Sequence, residues 1–111
     1  MRKLIEIESV HERIARFLKM RFGEATDSNL IEDIANARER QEDWQKRLRE
    51  LRYPVIGMVI EPGRYKTKEG FWRSTYKMTK WVDLPPDHVK LIRQWDNKKT
   101  RPALKRRLGL A

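Results

Sequence analysis

The sequence predicts a small α+β domain in which three helices lead into a β-hairpin and one more helix follows. Three observations carry this expectation. Apolar residues recur at helical spacing behind capping signals through the first half of the 111-residue chain. A β-branched run, Val55 to Ile60, and an alternating run, Phe71 to Met78, flank a polar, basic loop. Pro85-Pro86-Asp87 then opens a further helical pattern. At 13.5 kDa there is room for one core and little room to enclose an elaborate active site.

The first helix starts at Ser9, because Ser9-Val10-His11-Glu12 has the form of a capping box. Val10, Ile14, Phe17 and Leu18 follow at helical spacing, and Gly23 is the stop signal. Glu24-Ala25-Thr26 has length only for a bridging strand. Asp27 or Ser28 caps a second helix that buries Leu30, Ile31, Ile34 and Ala35. A third helix is expected from about Arg38 to Arg52, ending there because Pro54 disfavours helical geometry at Tyr53. At about 100° per residue, Trp44, Leu48 and Leu51 form its buried seam, while Glu42, Gln45, Lys46, Arg49 and Glu50 point away. The first hairpin strand is Val55 to Ile60, with a turn signal at Pro62-Gly63. Arg64 to Glu69 is the basic loop, closed by Gly70. In the second strand Trp72, Ser74, Tyr76 and Met78 share one face. The fourth helix offers Val89, Leu91, Ile92 and Trp95 for packing. Beyond it, Lys98 to Arg107 reads equally as a DNA-contacting arm, a linker or a disordered tail.

Charge bounds the function. Lys plus Arg exceed Asp plus Glu by ten, and the excess is placed unevenly: residues 1–40 hold 8 and 8, residues 41–111 hold 18 and 8. A pI near 10.2 with that asymmetry suits a partner made of phosphates, whose condensed counterions are released on binding. A membrane surface would want a long basic helix with a broad apolar face, and none is evident. No apolar run approaches the roughly 18 to 20 residues of a span, and charge interrupts the N-terminus too soon for a signal peptide. With no cysteine, disulfides and thiolate metal sites are excluded, and an intracellular, cytoplasmic location is expected.

Three helices followed by a hairpin with a basic loop is the order of a winged helix-turn-helix domain: a three-helix core plus a β-hairpin wing, here with an extra C-terminal helix. The expected division is residues 1–83 as the winged-helix domain and 84–111 as the C-terminal helix with a basic tail or linker. In such a domain the third helix enters the major groove of duplex DNA and the wing lies along the backbone or minor groove. Gln45, Lys46 and Arg49 are then the candidates for base contacts. Arg52, Arg64, Lys66, Lys68, Arg73 and Lys77 are the candidates for phosphates.

The run FGEATDSNLIEDIA, then WQKRLRELR, an apolar strand and a Pro-Gly-Arg-Tyr turn resemble the winged-helix domain that precedes the nuclease in some HNH-type and modification-dependent restriction endonucleases. Trp44, Arg47, Leu48, Arg49, Glu50, Leu51 and Arg52 match its recognition-helix pattern in order, and the likeness spans about Ser9 to Lys80. The family's Gly-x-Tyr element corresponds to Gly63-Arg64-Tyr65 or is replaced by Ser74-Thr75-Tyr76. The resemblance implies a DNA-reading module and allows recognition of N6-methyladenine.

A nuclease centre is not evident. An HNH site needs a base histidine among metal ligands, whereas His11 and His88 stand far apart in sequence without such a cluster. Glu61 and Asp83 lack the spacing of a carboxylate-lysine nuclease site. Neither metal nor cofactor is expected, and catalysis by this chain is not expected. A basic helix face is often merely solvated, and Trp44 and Tyr76 at packing positions are expected in the core. Trp72 shares the face of Tyr76 and is expected to be buried with it, while Trp81 lies past the alternating segment and is expected to be more exposed. If both flank a concave site, Trp72 and Trp81 are the candidates for a modified-base pocket. Alternatives from other classes are a small nuclease, a stand-alone transcription regulator, and a winged helix that binds RNA or an acidic protein.

Overall fold

Residues 9–37 and 43–110 are described by the computed structural model. Among them the elements run α1 (Val10–Met20), β1 (Thr26–Asp27), α2 (Ser28–Ala35), α3 (Trp44–Leu51), β2 (Val59–Lys66), β3 (Trp72–Lys80), α4 (His88–Asp96) and α5 (Arg101–Leu108). The strands form one antiparallel sheet in the order β1-β3-β2. The architecture is α+β, with α1, α2 and α3 packed on one sheet through a shared core of Ile14, Leu18, Ile31, Leu48, Leu51, Ile60 and Met78.

The capping box at α1 is formed in both directions: Ser9 Oγ accepts from the Glu12 amide at 3.1 Å, and the Glu12 carboxylate accepts from the Ser9 amide at 3.0 Å. After α1, Gly23 adopts φ +82° and its N–H donates to Met78 O at 2.9 Å, joining the helix end to β3. Asp27 caps α2 through the Asn29 amide at 2.8 Å. Ile31 and Ala35 are buried on α2 and Ile34 is half-buried, but Leu30 is exposed. Eight residues make only about two turns, and the buried stripe is correspondingly narrow. Trp44, Leu48 and Leu51 form the buried seam of α3 as expected. The helix starts later than the expected Arg38: Asp43, with φ -105° and ψ 34°, is a non-helical cap and Trp44 is the first helical residue. Arg38 itself and the outward position of Glu42 lie outside the described residues.

The hairpin differs from expectation in register. Val55 and Ile56 belong to a turn after α3, closed by Ile56 N–H and Gly57 N–H donating to Tyr53 O at 2.9 and 2.8 Å, with Gly57 at φ +92°. Strand β2 therefore starts at Val59, and Pro62-Gly63 lies inside it rather than at a turn. Proline is tolerated there because β2 is the edge strand, where a missing N–H breaks no second ladder. Gly63 faces Thr75 closely: a Cβ at this glycine would stand 3.0 Å from Thr75 Oγ1. The true turn is Thr67 to Phe71, with Gly70 at φ +93°.

The cross-strand pairs Ile60 with Met78, Pro62 with Tyr76, Arg64 with Ser74 and Lys66 with Trp72 share one sheet face. Along that face burial fades from Met78, fully buried, through half-buried Tyr76 to Trp72, which is 59% exposed. Trp72 does share the face of Tyr76, but the hairpin overhangs the helices, so its ring lies in solvent instead of the core. Trp81 differs in the opposite sense: it is half-buried against the core.

Helix α4 packs through Leu91 and Ile92, and Ile92 belongs to the same core as α1 and α3. The basic tail is a helix, α5, with Pro102 in its first turn and Gly109 closing it at φ +71°. Leu48, 1% exposed at the α3 seam, is surrounded by this core. Leu48→Ala is expected to lower unfolding free energy by about 2–5 kcal/mol in urea titrations, the range for truncating a well-packed leucine.

Candidate nucleic-acid interface

Two features position the candidate residues: the outward face of α3 and the overhanging hairpin. On α3, Gln45, Lys46 and Arg49 are exposed, as is Arg52 at its C-cap. On the hairpin, Arg64 and Lys66 project from β2 and Lys68 from the tip turn. Among the described residues, Lys46, Arg49, Arg52, Arg64, Lys66 and Lys68 have no ion pair with a carboxylate. Arg73 and Lys77 are placed differently. Arg73 Nε is 3.0 Å from Asp27 Oδ2, and Lys77 Nζ is 3.9 Å from Glu61 Oε1.

Asp27 is the joint between hairpin and helices. Its carboxylate caps α2 and also accepts from Tyr65 OH at 2.8 Å and from Arg73 Nε. The Asn29 amide and the Arg73 guanidinium hold this carboxyl below its ordinary value of 3.8. Neighbouring β1 is pinned by pairing of Thr26 with Tyr76 and Asp27 with Thr75. Tyr76 in turn meets Trp44, at the start of α3, edge to face at 6.4 Å. The hairpin is thereby oriented relative to α3.

A second cluster fixes α3 against α1. Glu50, assigned outward by helical angle, is 1% exposed. Its Oε1 accepts from His11 Nε2 and from Arg47 Nη1, both at 2.8 Å. A carboxylate in the interior requires such partners, and they draw Glu50 to the α1 side of the helix. His11 lies 5.8 Å edge-on from His88. His88 Nδ1 donates to Pro85 O at 2.9 Å, and its Nε2 is hydrogen-bonded with Ser9 Oγ at 2.8 Å. The two histidines, 77 positions apart, therefore meet at the junction of α1, α3 and α4. Burial lowers the His11 pKa below 6.5, against the opposing pull of Glu50.

Helix α5 packs on α4, whose C-terminal end in turn meets Tyr53 just after α3. Tyr53 OH donates to Asp96 at 2.7 Å, and its ring lies 6.4 Å from Trp95. Arg101 and Lys105 each stand 5.4 Å from the Trp95 ring, and Leu104 is buried. This arrangement leaves Lys98, Lys99, Arg106 and Arg107 exposed.

Trp72 and Trp81 are not brought together. Trp72 opens β3 and Trp81 follows its last residue, nine positions on, or roughly 30 Å at strand rise. Trp81 has Lys19 Nζ 4.4 Å over its ring and donates to Asp83 Oδ1 at 2.8 Å. Trp72 instead has the Arg64 guanidinium 4.7 Å over its ring. Among the described residues no group of three or more histidines and carboxylates is placed to hold a metal ion, and no helix is long and apolar enough to cross a membrane. No family model, curated protein or solved structure matches the chain.

The His11 environment sets a pH dependence. In the unfolded chain His11 takes up its proton near 6.5, but in the fold only at lower pH. Stability present above about 6.5 is therefore lost progressively as pH falls through the folded value. Asp27 acts in a separate window, below its unfolded value of 3.8. Urea midpoints are expected to fall between about pH 7.5 and about pH 5.5, with a smaller fall for His11→Gln.

Proposed function

We propose that this chain is a winged-helix module that binds double-stranded DNA, with α3 in the major groove and the hairpin as the wing. The supporting observation is the juxtaposition, through Asp27 and the Trp44–Tyr76 contact, of two exposed basic features. The element order, with β1 between α1 and α2, and the sheet order β1-β3-β2 support this reading. An eight-residue α3 whose apolar seam is buried and whose opposite face carries Gln45, Lys46 and Arg49 suits groove entry. Arg49 and Lys46 pair with guanine edges and Gln45 with adenine. Arg52, Arg64, Lys66 and Lys68 take phosphates. Arg73 orients the hairpin through Asp27, so its contribution to binding is through shape as well as charge.

The pattern from Trp44 to Arg52 further supports reading this module as the DNA-recognition part of a restriction endonuclease. In that role the chain selects the site and supplies no catalytic group.

Titration of a fluorescent duplex at several salt concentrations tests the proposal. Affinity is expected to fall linearly with salt on a logarithmic plot, with a slope of about 0.9 per neutralised phosphate. Arg49→Ala is expected to weaken binding by about 1–3 kcal/mol and relax sequence preference at one position. Paired oligonucleotides with and without N6-methyladenine show whether the module senses modification. No salt-dependent binding by the wild-type chain would refute the proposal.

A further inference from the structure

The hairpin tip carries two aromatic rings that neither the core nor a phosphate contact explains. Phe71 is 70% exposed and Trp72 59%, the latter on the sheet face that buries Met78 further down. The turn that holds them is pre-shaped. Thr67 N–H donates to Phe71 O at 2.7 Å, Gly70 N–H to Thr67 O at 2.9 Å, and Phe71 N–H to Thr67 Oγ1 at 3.0 Å. Three hydrogen bonds in one turn hold the rings in water without help from the helices.

The charges around the rings identify the partner. Arg64 covers one face of Trp72, Lys66 is its cross-strand neighbour, and Lys68 lies in the same turn, against the single carboxylate of Glu69. A protein or lipid partner matched to the rings would have to bury these cations. A nucleic acid strand alternates flat apolar bases with phosphates at close spacing, and so meets rings and cations together. With one face held by Arg64, the ring of Trp72 keeps its other face for stacking.

We infer that the hairpin tip is a stacking platform for an unpaired nucleobase, with Trp72 under the base, Phe71 at its edge, and Lys66 and Lys68 on the adjoining phosphates. A base inside a duplex is stacked on its neighbours and offers no free face; a bulged base does. The tip therefore distinguishes distorted or opened duplex from regular duplex. This rests on the DNA-binding reading above, and adds a preference that groove contacts by α3 alone do not produce.

The test compares a regular duplex with the same duplex carrying one bulged adenine, binding the full chain, Trp72→Ala and Trp72→Phe at one salt concentration. The wild-type chain is expected to prefer the bulged duplex by roughly 5- to 150-fold, the range for one stacked base. Trp72→Ala is expected to bring that ratio close to one, and Trp72→Phe to restore part of it. Equal affinity of the wild type for both duplexes overturns the inference and leaves the DNA-binding reading standing. So does a preference that Trp72→Ala leaves intact. Binding to neither duplex overturns both.

Discussion

The Asp27 carboxylate is the constraint on which the arrangement depends. A hairpin that leaves the core after Met78 has few apolar contacts to set its direction. A single side chain supplies it, capping α2 with one oxygen while its other oxygen receives Tyr65 and Arg73 from the two hairpin strands. Charge-assisted bonds of this kind are stronger and more directional than neutral ones, and the lowered pKa of Asp27 records that the ionised form is the one being held. Since the same residue pairs with Thr75 in the sheet, backbone and side chain fix the same geometry.

The buried Glu50 does the corresponding work for α3. Its two partners come from different places: Arg47 from one turn earlier on α3, and His11 from α1. Together they set the rotation of α3 about its own axis. This matters because Gln45, Lys46 and Arg49 lie on the remaining face, and a rotated helix would turn them into the core or against α1. Isolated, a buried carboxylate is costly; here it serves orientation, which apolar packing by Leu48 and Leu51 specifies less sharply.

Local signals made part of this legible. The Ser9 capping box and the Asp27 cap were readable because each is set by residues within four positions of one another. The bridging strand was legible only as a short gap between helices; expected at residues 24–26, it falls at Thr26–Asp27, because its partners Tyr76 and Thr75 are far away in sequence. The seam of Trp44, Leu48 and Leu51 was readable from periodicity. Register in the hairpin was not, since Pro62-Gly63 has the composition of a turn and only its place on an edge strand makes it compatible with pairing. Trp72 was assigned to the correct face and the wrong depth, because alternation tells sides apart but not where the helices beneath a sheet stop. The meetings of Glu50 with His11 and of His11 with His88 link distant segments, and no spacing rule reaches them. Within the candidate interface, the exposure of Lys46, Arg49, Arg64 and Lys66 followed from pattern, but the engagement of Arg73 by Asp27 did not.

The central claim is that α3 and the hairpin form one continuous DNA-contacting surface. An amide NMR titration of the chain with a short duplex tests it directly, at a size well suited to residue-level resolution. The account predicts that signals of residues 45–52 and 64–72 shift together, at one ratio of DNA to protein, while those of Ile14, Ala15 and Leu18 stay in place. Shifts confined to α1 and α2, or no shifts at low salt, would contradict it.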